Sequence, residues 1–283
     1  MSSLEEYLYL AIQASLRAGE AILEAYQQPP QFKLKANLSP LTQADQDAHR
    51  IIQENLLDAP KKLPILSEEG RNVPYVERKH WKDFWLVDPL DGTKEFLKQN
   101  GEFTVNIALI REGKPILGVV YAPALKVLYF SAEGLGAFKS EELKVKSGEF
   151  EAFLKKAQKL NMSPVPKQGE VLRVAASRSH TDPETNTFLE RLGNKYKIEL
   201  TNAGSSLKFC FVAEGKMDLY PRFAPTMEWD TAAGQAIVEQ AGGIAAKWKS
   251  GTLLVYNKEN LLNPHFVAAS LPFVDLLFGQ AGT

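Results

Sequence analysis

The chain predicts a mixed α/β fold in which helices and sheets alternate in layers, and three stretches carry that prediction. Residues 4–26 repeat apolar side chains at helical spacing, residues 103–138 read as consecutive short β-runs, and beyond about residue 170 strand-like and helix-like segments alternate. A polar-faced helix, a meander and an alternating α/β half are compatible only if the sheets are covered by helices.

Leu4, Leu8, Ala11, Ile12, Ser15, Ala18, Ala21, Ile22 and Ala25 share one face of the first predicted helix. "QQPPQF" ends it, because two prolines cannot continue a helix. A polar loop then leads to a second helix, predicted to be capped near Thr42 and to run to about Leu57. "LPILSEEG" is a short apolar run ending in acids, and "FWLVDPLDGT" repeats the design with two more. "FTVNIALI", "KPILGVVYAP", "KVLYFSA" and "GAFKS" form the meander, separated by Gly, Pro or charged pairs. Segment 140–170 is polar and charged and reads as a surface helix and a loop, marking a lobe boundary. After it, "VLRVAAS", "YKIELTN" and "MDLYPR" each precede a helical segment, which predicts a second sheet flanked by helices. The expected organisation is one unit over 1–283 with sub-lobes of about 1–150 and 151–283.

Bulk properties exclude several function classes. With 283 residues the chain can bury a sizeable core, and 45% apolar with 24% charged residues is an ordinary globular composition. A formal net charge of −1 offers no global field for a nucleic acid polymer. A single cysteine, Cys210, excludes an intrachain disulfide and a Cys-rich zinc site, and it reads as a buried core thiol beside Leu207 and Phe211. No apolar run reaches the roughly 18 residues of a membrane span. The acidic, helical N-terminus does not resemble a secretory signal, so the expected compartment is the cytoplasm.

Acids stand at element edges: Asp45 early in a helix, Glu68 and Glu69 after one strand, Asp88 and Asp91 after another, and Asp230 at a helix start. Singly, each has an ordinary explanation as an N-cap, a first-turn acid or a solvated loop residue. Jointly they point elsewhere. If the two acid-ended strands are neighbours, several carboxylates meet at one sheet edge, where they must repel, take up protons or bind a cation. The all-oxygen donor set favours Mg²⁺ or Mn²⁺ over zinc. If Gly92 and Thr93 open a short helix, their amides add donors for an anion at the same place. A phosphate ester uses both.

With Glu68, "DPLDGT" and "EWDTAAG" in that order, the chain resembles the inositol monophosphatase-like superfamily of metal-dependent phosphomonoesterases over nearly its whole length. "NLSPLTQAD", "LSEE", "WLVDPLDGTKEF", "SRSH" and "AGSSLKFC" are similar to its CysQ-type branch of 3'(2'),5'-bisphosphate nucleotidases. The resemblance implies an αβαβα sandwich of the inositol monophosphatase and fructose-1,6-bisphosphatase type. It implies two or three Mg²⁺ ions, with Mn²⁺ as an alternative, held by Glu68, Asp88, Asp91, Asp230 and the Leu90 carbonyl. Asp45 and Thr93 would deprotonate the attacking water. The Gly92 and Thr93 amides would hold the scissile phosphate, and Asp230 would also face the substrate. Ser177, His180, Gly204, Ser205 and Lys208 would contact a nucleotide bisphosphate, although Ser205 and Ser206 also suit a helix cap and Lys208 a solvated charge. The implied reaction converts adenosine 3',5'-bisphosphate to AMP and phosphate, with the phosphosulfate analogue as a further substrate. Inositol phosphates and sugar bisphosphates are the alternatives within the superfamily, and a catalytically silent metal- or nucleotide-binding protein is the alternative outside it. The expected form is a monomer or homodimer.

Overall fold

A computed structural model describes residues 3–29, 32–34, 40–59, 61–146, 148–176 and 183–278. The chain begins with α1 (Ser3–Tyr26), a small hairpin β1 (Phe32–Leu34) and β2 (Pro40–Thr42), and α2 (Gln43–Leu56). Next come β3 (Ile65–Ser67), α3 (Tyr75–Arg78), β4 (Asp83–Asp91) and α4 (Thr93–Leu97). The meander follows as β5 (Thr104–Arg111), β6 (Lys114–Ala122), β7 (Val127–Ala132) and β8 (Gly136–Ser140), then α5 (Phe150–Lys156) and β9 (Gln158–Lys159). The second half contains β10 (Val171–Ala176), α6 (Pro183–Gly193), β11 (Lys197–Asn202), α7 (Leu207–Ala213) and β12 (Leu219–Arg222). It closes with a 3₁₀ turn (Glu228–Asp230), α8 (Ala232–Gln240), β13 (Gly243–Lys247), β14 (Phe266–Ser270) and α9 (Leu271–Phe278).

Strands β3 to β9 form a seven-stranded sheet in chain order, antiparallel except for the β3–β4 pair. A five-stranded mixed sheet has the order β11-β10-β12-β14-β13. Alternation along β4 shows how the layers arise. Trp85 and Val87 face α1 and α2 together with Ile107, Val119 and Phe130, while Phe84 and Leu86 face the opposite way. That second face packs against α7 and α8 through Phe209, Cys210, Ala233 and Ile237, and these helices also cover Ala175, Ala245 and Phe266 of the smaller sheet. The far side of the smaller sheet carries Leu172, Val174 and Val267 and is sealed by Phe188 and Leu192 of α6 and Phe273 and Val274 of α9. The result is five layers, αβαβα. Gly118 sets the closest approach in the middle: a Cβ there would stand 2.3 Å from the Ala233 carbonyl oxygen.

The structure corrects three expectations. Segment 140–170 does contain a helix, α5, and an irregular stretch, but the helix has a buried face and a short strand follows it. Phe150 and Phe153 of α5 are buried, Phe153 stacks on Phe130 with ring centroids 5.4 Å apart, and β9 extends the meander by pairing with β8. Asp230 does not cap the helix after it; the chain makes a 3₁₀ turn first, and Thr231 is the residue at the start of α8. Ser206 precedes α7 but makes no side-chain cap, and Lys208 is buried rather than solvated. Among the described residues no helix is long and apolar enough to cross a membrane.

Candidate active site

The site forms where β3 and β4 end side by side. They run parallel, and the Glu68 amide continues the ladder by donating to the Val87 carbonyl at 3.1 Å. Asp88 and Asp91 are three residues apart, so in a regular strand their side chains would point to opposite faces. The register shifts between them: Asp88 pairs with Asn106 and Asp91 with Thr104, which puts one extra residue on β4. This bulge turns both carboxylates to one side. Pro89 suits it, having no amide hydrogen to offer a ladder. The Asn106 amide nitrogen donates to Asp91 Oδ2 at 3.3 Å, and the Leu90 amide donates to Asp88 Oδ1 at 3.1 Å. Gly92 then takes φ +92°, a left-handed conformation that admits glycine without strain, and starts α4.

Asp45 arrives from α2. Thr42 and Asp45 form a reciprocal cap, the Thr42 amide and hydroxyl both donating to Asp45 Oδ2 at 2.7 and 2.5 Å. That fixes the carboxylate and leaves Oδ1 facing Thr93, whose hydroxyl donates to it at 3.4 Å. Asp230 is set by its own turn, Oδ2 accepting from the Met227 amide at 2.9 Å. Ser206 links the two halves. Its Oγ stands 3.0 Å from Asp91 Oδ2 and 2.8 Å from the Asp230 carbonyl, with its one proton serving either, and it accepts from Asn106 at 2.8 Å.

Glu68, Asp88, Leu90, Asp91, Gly92, Thr93 and Asp230 line one cavity of about 400 Å³, walled on the far side by Met227, Trp229 and Leu262. Gly204, Ser205 and Lys208 line an adjoining cavity of about 190 Å³ with Tyr220 and Arg222. Asp91, Gly92, Lys94, Glu95, Thr226 and Asp230 border both. Ser177 and His180 lie outside the described residues. The sequence reading missed Asn106, Ser206, Arg222 and Tyr220; Asn106 had one visible signal, a lone amide in the apolar run "FTVNIALI".

Electrostatics in the first cavity are dominated by crowded carboxylates. Burial drives the Asp88 carboxyl well above the usual carboxylate range, and Glu68, Asp91, Asp230 and Asp45 push it further in that order. Asp230 is raised in the same way, first by burial and then by Asp91. Among the described residues no group of three or more His, Cys, Asp and Glu side chains is arranged to hold a metal ion unaided. The donors still fit Mg²⁺, which coordinates oxygen, keeps several waters and needs only one or two carboxylates directly. In the second cavity the Lys208 ammonium donates to the Ala203 and Ser205 carbonyls at 3.0 and 2.8 Å and sits 5.5 Å from the Tyr220 ring centroid. Burial, aided by Arg222, lowers its pKa to about 8.

Residues 3–272 match the family model described as the inositol monophosphatase family. The chain belongs to that family. Among curated relatives it is 47% identical over 256 residues to the 3'(2'),5'-bisphosphate nucleotidase CysQ of Salmonella typhimurium, covering 90% of this chain and 96% of the relative. It is 46% identical over 257 residues to the protein of the same name from Escherichia coli K12, with the same coverage. The crystal structure of CysQ from Bacteroides thetaiotaomicron superposes with a TM-score of 0.82 at 45% identity, covering 93% of this chain and 96% of that one. An inositol monophosphatase structure from Thermotoga maritima gives a TM-score of 0.73 at 23% identity over 95% and 94% of the two chains, a likeness of fold alone. Inositol monophosphatase family membership accounts for the five-layer sandwich and for the order in which the acid-bearing segments enter the cleft.

Proposed function

We propose that this chain is a metal-dependent 3'(2'),5'-bisphosphate nucleotidase that hydrolyses adenosine 3',5'-bisphosphate to AMP and phosphate. One observation carries the reading: an acid-lined cavity opens directly into a second one bearing Lys208 and Arg222. A substrate with two phosphates needs one site that reacts and one that merely holds. The high identity to relatives named as bisphosphate nucleotidases supports the same substrate class.

Glu68, Asp88, Asp91, Asp230 and the Leu90 carbonyl would hold two or three Mg²⁺ ions, or Mn²⁺, which supply charge neutralisation and a lowered pKa for water. The remaining work falls to the protein. The Gly92 and Thr93 amides orient the scissile phosphate. Thr93 Oγ takes a proton from the attacking water while passing its own to Asp45 Oδ1, since a neutral threonine is too weak a base alone. The water oxygen bonds to phosphorus, the bond from phosphorus to O3' breaks, O3' takes up a proton from solvent water, and Asp45 returns the proton it received to solvent. Ser205, Lys208 and Arg222 hold the nucleotide's other phosphate, with Gly204 beside them, where a side chain would collide with the Glu102 backbone. The cleft lies between a metal-binding lobe of about residues 1–150 and a nucleotide-binding lobe of about 151–283.

The test compares phosphate release from adenosine 3',5'-bisphosphate, inositol 1-phosphate and fructose 1,6-bisphosphate with added Mg²⁺. The bisphosphate nucleotide should be turned over fastest, and Asp91→Asn should abolish release. A marked preference for either of the others would sink the substrate assignment but not the phosphatase class. Calorimetric binding without turnover would favour the silent binding protein.

A further inference from the structure

Lys94 follows Thr93 on α4 and borders both cavities, a position that no other cationic side chain among the described residues shares. Its side chain is exposed, and among the described residues its ammonium makes no hydrogen bond or ion pair. The cations around it are differently placed. Lys208 has two of its three N–H bonds committed to backbone carbonyls, and Arg222 gives one nitrogen to the Pro225 carbonyl at 3.3 Å. The Arg222 Nε is buried without a partner.

The charges in the two cavities call for different remedies. In the larger one, five acids stand against Lys94 alone, and a hard cation can offset them. The smaller one shares all three of its acids, Asp91, Glu95 and Asp230, with the larger, and of these only Glu95 stands outside the proposed metal-ligand set. An anion entering the smaller cavity therefore meets Glu95 and must be neutralised by side-chain cations. Lys208 and Arg222 approach from the floor; Lys94 is the one cation on the rim between the phosphate that reacts and the one that stays.

We propose that Lys94 is a specificity-determining residue that pairs with the phosphate retained in the product and so selects bisphosphates over monophosphates. This inference rests on the nucleotidase reading given above. The ammonium, placed beside Glu95, closes the smaller cavity over a doubly charged group. A substrate lacking that group leaves Lys94 facing solvent and gains nothing from it.

The experiment measures kcat/KM for adenosine 3',5'-bisphosphate and for adenosine 3'-monophosphate with wild type, Lys94→Gln and Lys94→Arg, together with inhibition by AMP and by adenosine. Lys94→Gln should lower the bisphosphate-to-monophosphate ratio by about 10- to 100-fold, the loss of one charge-assisted contact, mainly through KM. It should weaken inhibition by AMP relative to adenosine by a similar factor, and Lys94→Arg should restore most of both. Equal losses on the two substrates with no change in relative AMP inhibition would overturn the assignment and move Lys94 to the reacting phosphate. Failure of the wild type to hydrolyse the bisphosphate would overturn the nucleotidase reading and this inference with it, whereas wild-type turnover with an unaltered ratio would overturn the Lys94 role alone.

Discussion

Thr93 Oγ donates to Asp45 Oδ1 across 3.4 Å, joining the start of α4 to the first turn of α2. The same aspartate caps its own helix through Oδ2, so one carboxylate has a structural oxygen and a second oxygen that faces Thr93. The two duties separate by mutation. Thr93→Ala should lower kcat by about 10²- to 10⁴-fold, the usual worth of a positioned acid–base group, with thermal stability close to wild type. Thr93→Ser should recover part of the rate. Thr42→Ala should behave in the opposite sense, costing about 1 kcal/mol of stability from the lost cap and a smaller share of kcat. Steady-state kinetics beside thermal melts would read both, and a Thr93→Ala rate near wild type would remove the pair from the mechanism.

Asp88 shows why the folded chain should depend on a cation for stability as well as for rate. It is buried among four other carboxylates, and its own carboxylate accepts only from the Leu90 amide among the described residues. A divalent ion binding there and not to the unfolded chain raises stability, by about 2.7 kcal/mol when present at a hundred times its dissociation constant. Titrating Mg²⁺ into chelator-treated protein should therefore raise Tm. Asp88→Asn removes one of the repelling charges, so it should melt higher than wild type without metal, show a much smaller Mg²⁺-induced shift, and lose activity. A lower metal-free Tm for Asp88→Asn would contradict the repulsion.

Glu239 provides a pH-dependent feature on α8, in the middle layer. Burial raises its carboxyl to about 7, opposed in part by the Gln235 amide, which donates to Oε1 at 2.8 Å, and by Lys114. Its folded pKa thus lies above the unfolded value of 4.5. Below the unfolded value both states hold the proton, and the group costs nothing. Between 4.5 and about 7 the unfolded chain ionises first, so stability falls as pH rises through that window and levels off above it. Glu239→Gln should match wild type near pH 4.5 and exceed it above pH 7, where the wild type must bury a charge. Denaturant midpoints across that range would show it, and parallel pH profiles for the two proteins would exclude it.

Local signals made much of this molecule legible. The helical face of residues 4–26, the Thr42 cap and the Gly-punctuated meander are all written within a few residues of where they act. The acids were legible too, because four acidic stations at element edges in one chain, two of them ending apolar runs, are hard to explain separately. What escaped was nonlocal or weakly patterned. The bulge that aligns Asp88 with Asp91 depends on pairing to β5, and "DPLD" alone does not reveal it. Strand β13 is Gly-Ile-Ala-Ala-Lys, a run with little β-propensity that forms because β14 offers it a partner. Phe150 and Phe153 sat in a charged segment and drew no notice, yet they close the layer beneath α1. Ser206 read as a helix cap because its real partner, Asp91, lies 115 residues away.

That distant partnership makes Ser206 a test of how the cation site is assembled. Its hydroxyl touches the Asp91 carboxylate, the Asp230 carbonyl and the Asn106 amide, three groups from three different elements. No other side chain among the described residues is hydrogen-bonded to both Asp91 and Asp230. Removing the hydroxyl leaves the Asn106 donor and the Asp91 acceptor with one contact fewer, while α7 keeps its start because Ser206 supplies no side-chain cap. Partners of metal ligands commonly hold affinity at the level of about 10- to 100-fold. Ser206→Ala should therefore raise the Mg²⁺ concentration for half-maximal activity by about that factor, with most of kcat recovered at saturating Mg²⁺. The Mg²⁺-induced rise in Tm should move to correspondingly higher concentration. Ser206→Thr, which keeps the oxygen, should fall between. A variant that loses kcat at saturating Mg²⁺ while its metal dependence stays fixed would place Ser206 with the substrate and not with the ligands.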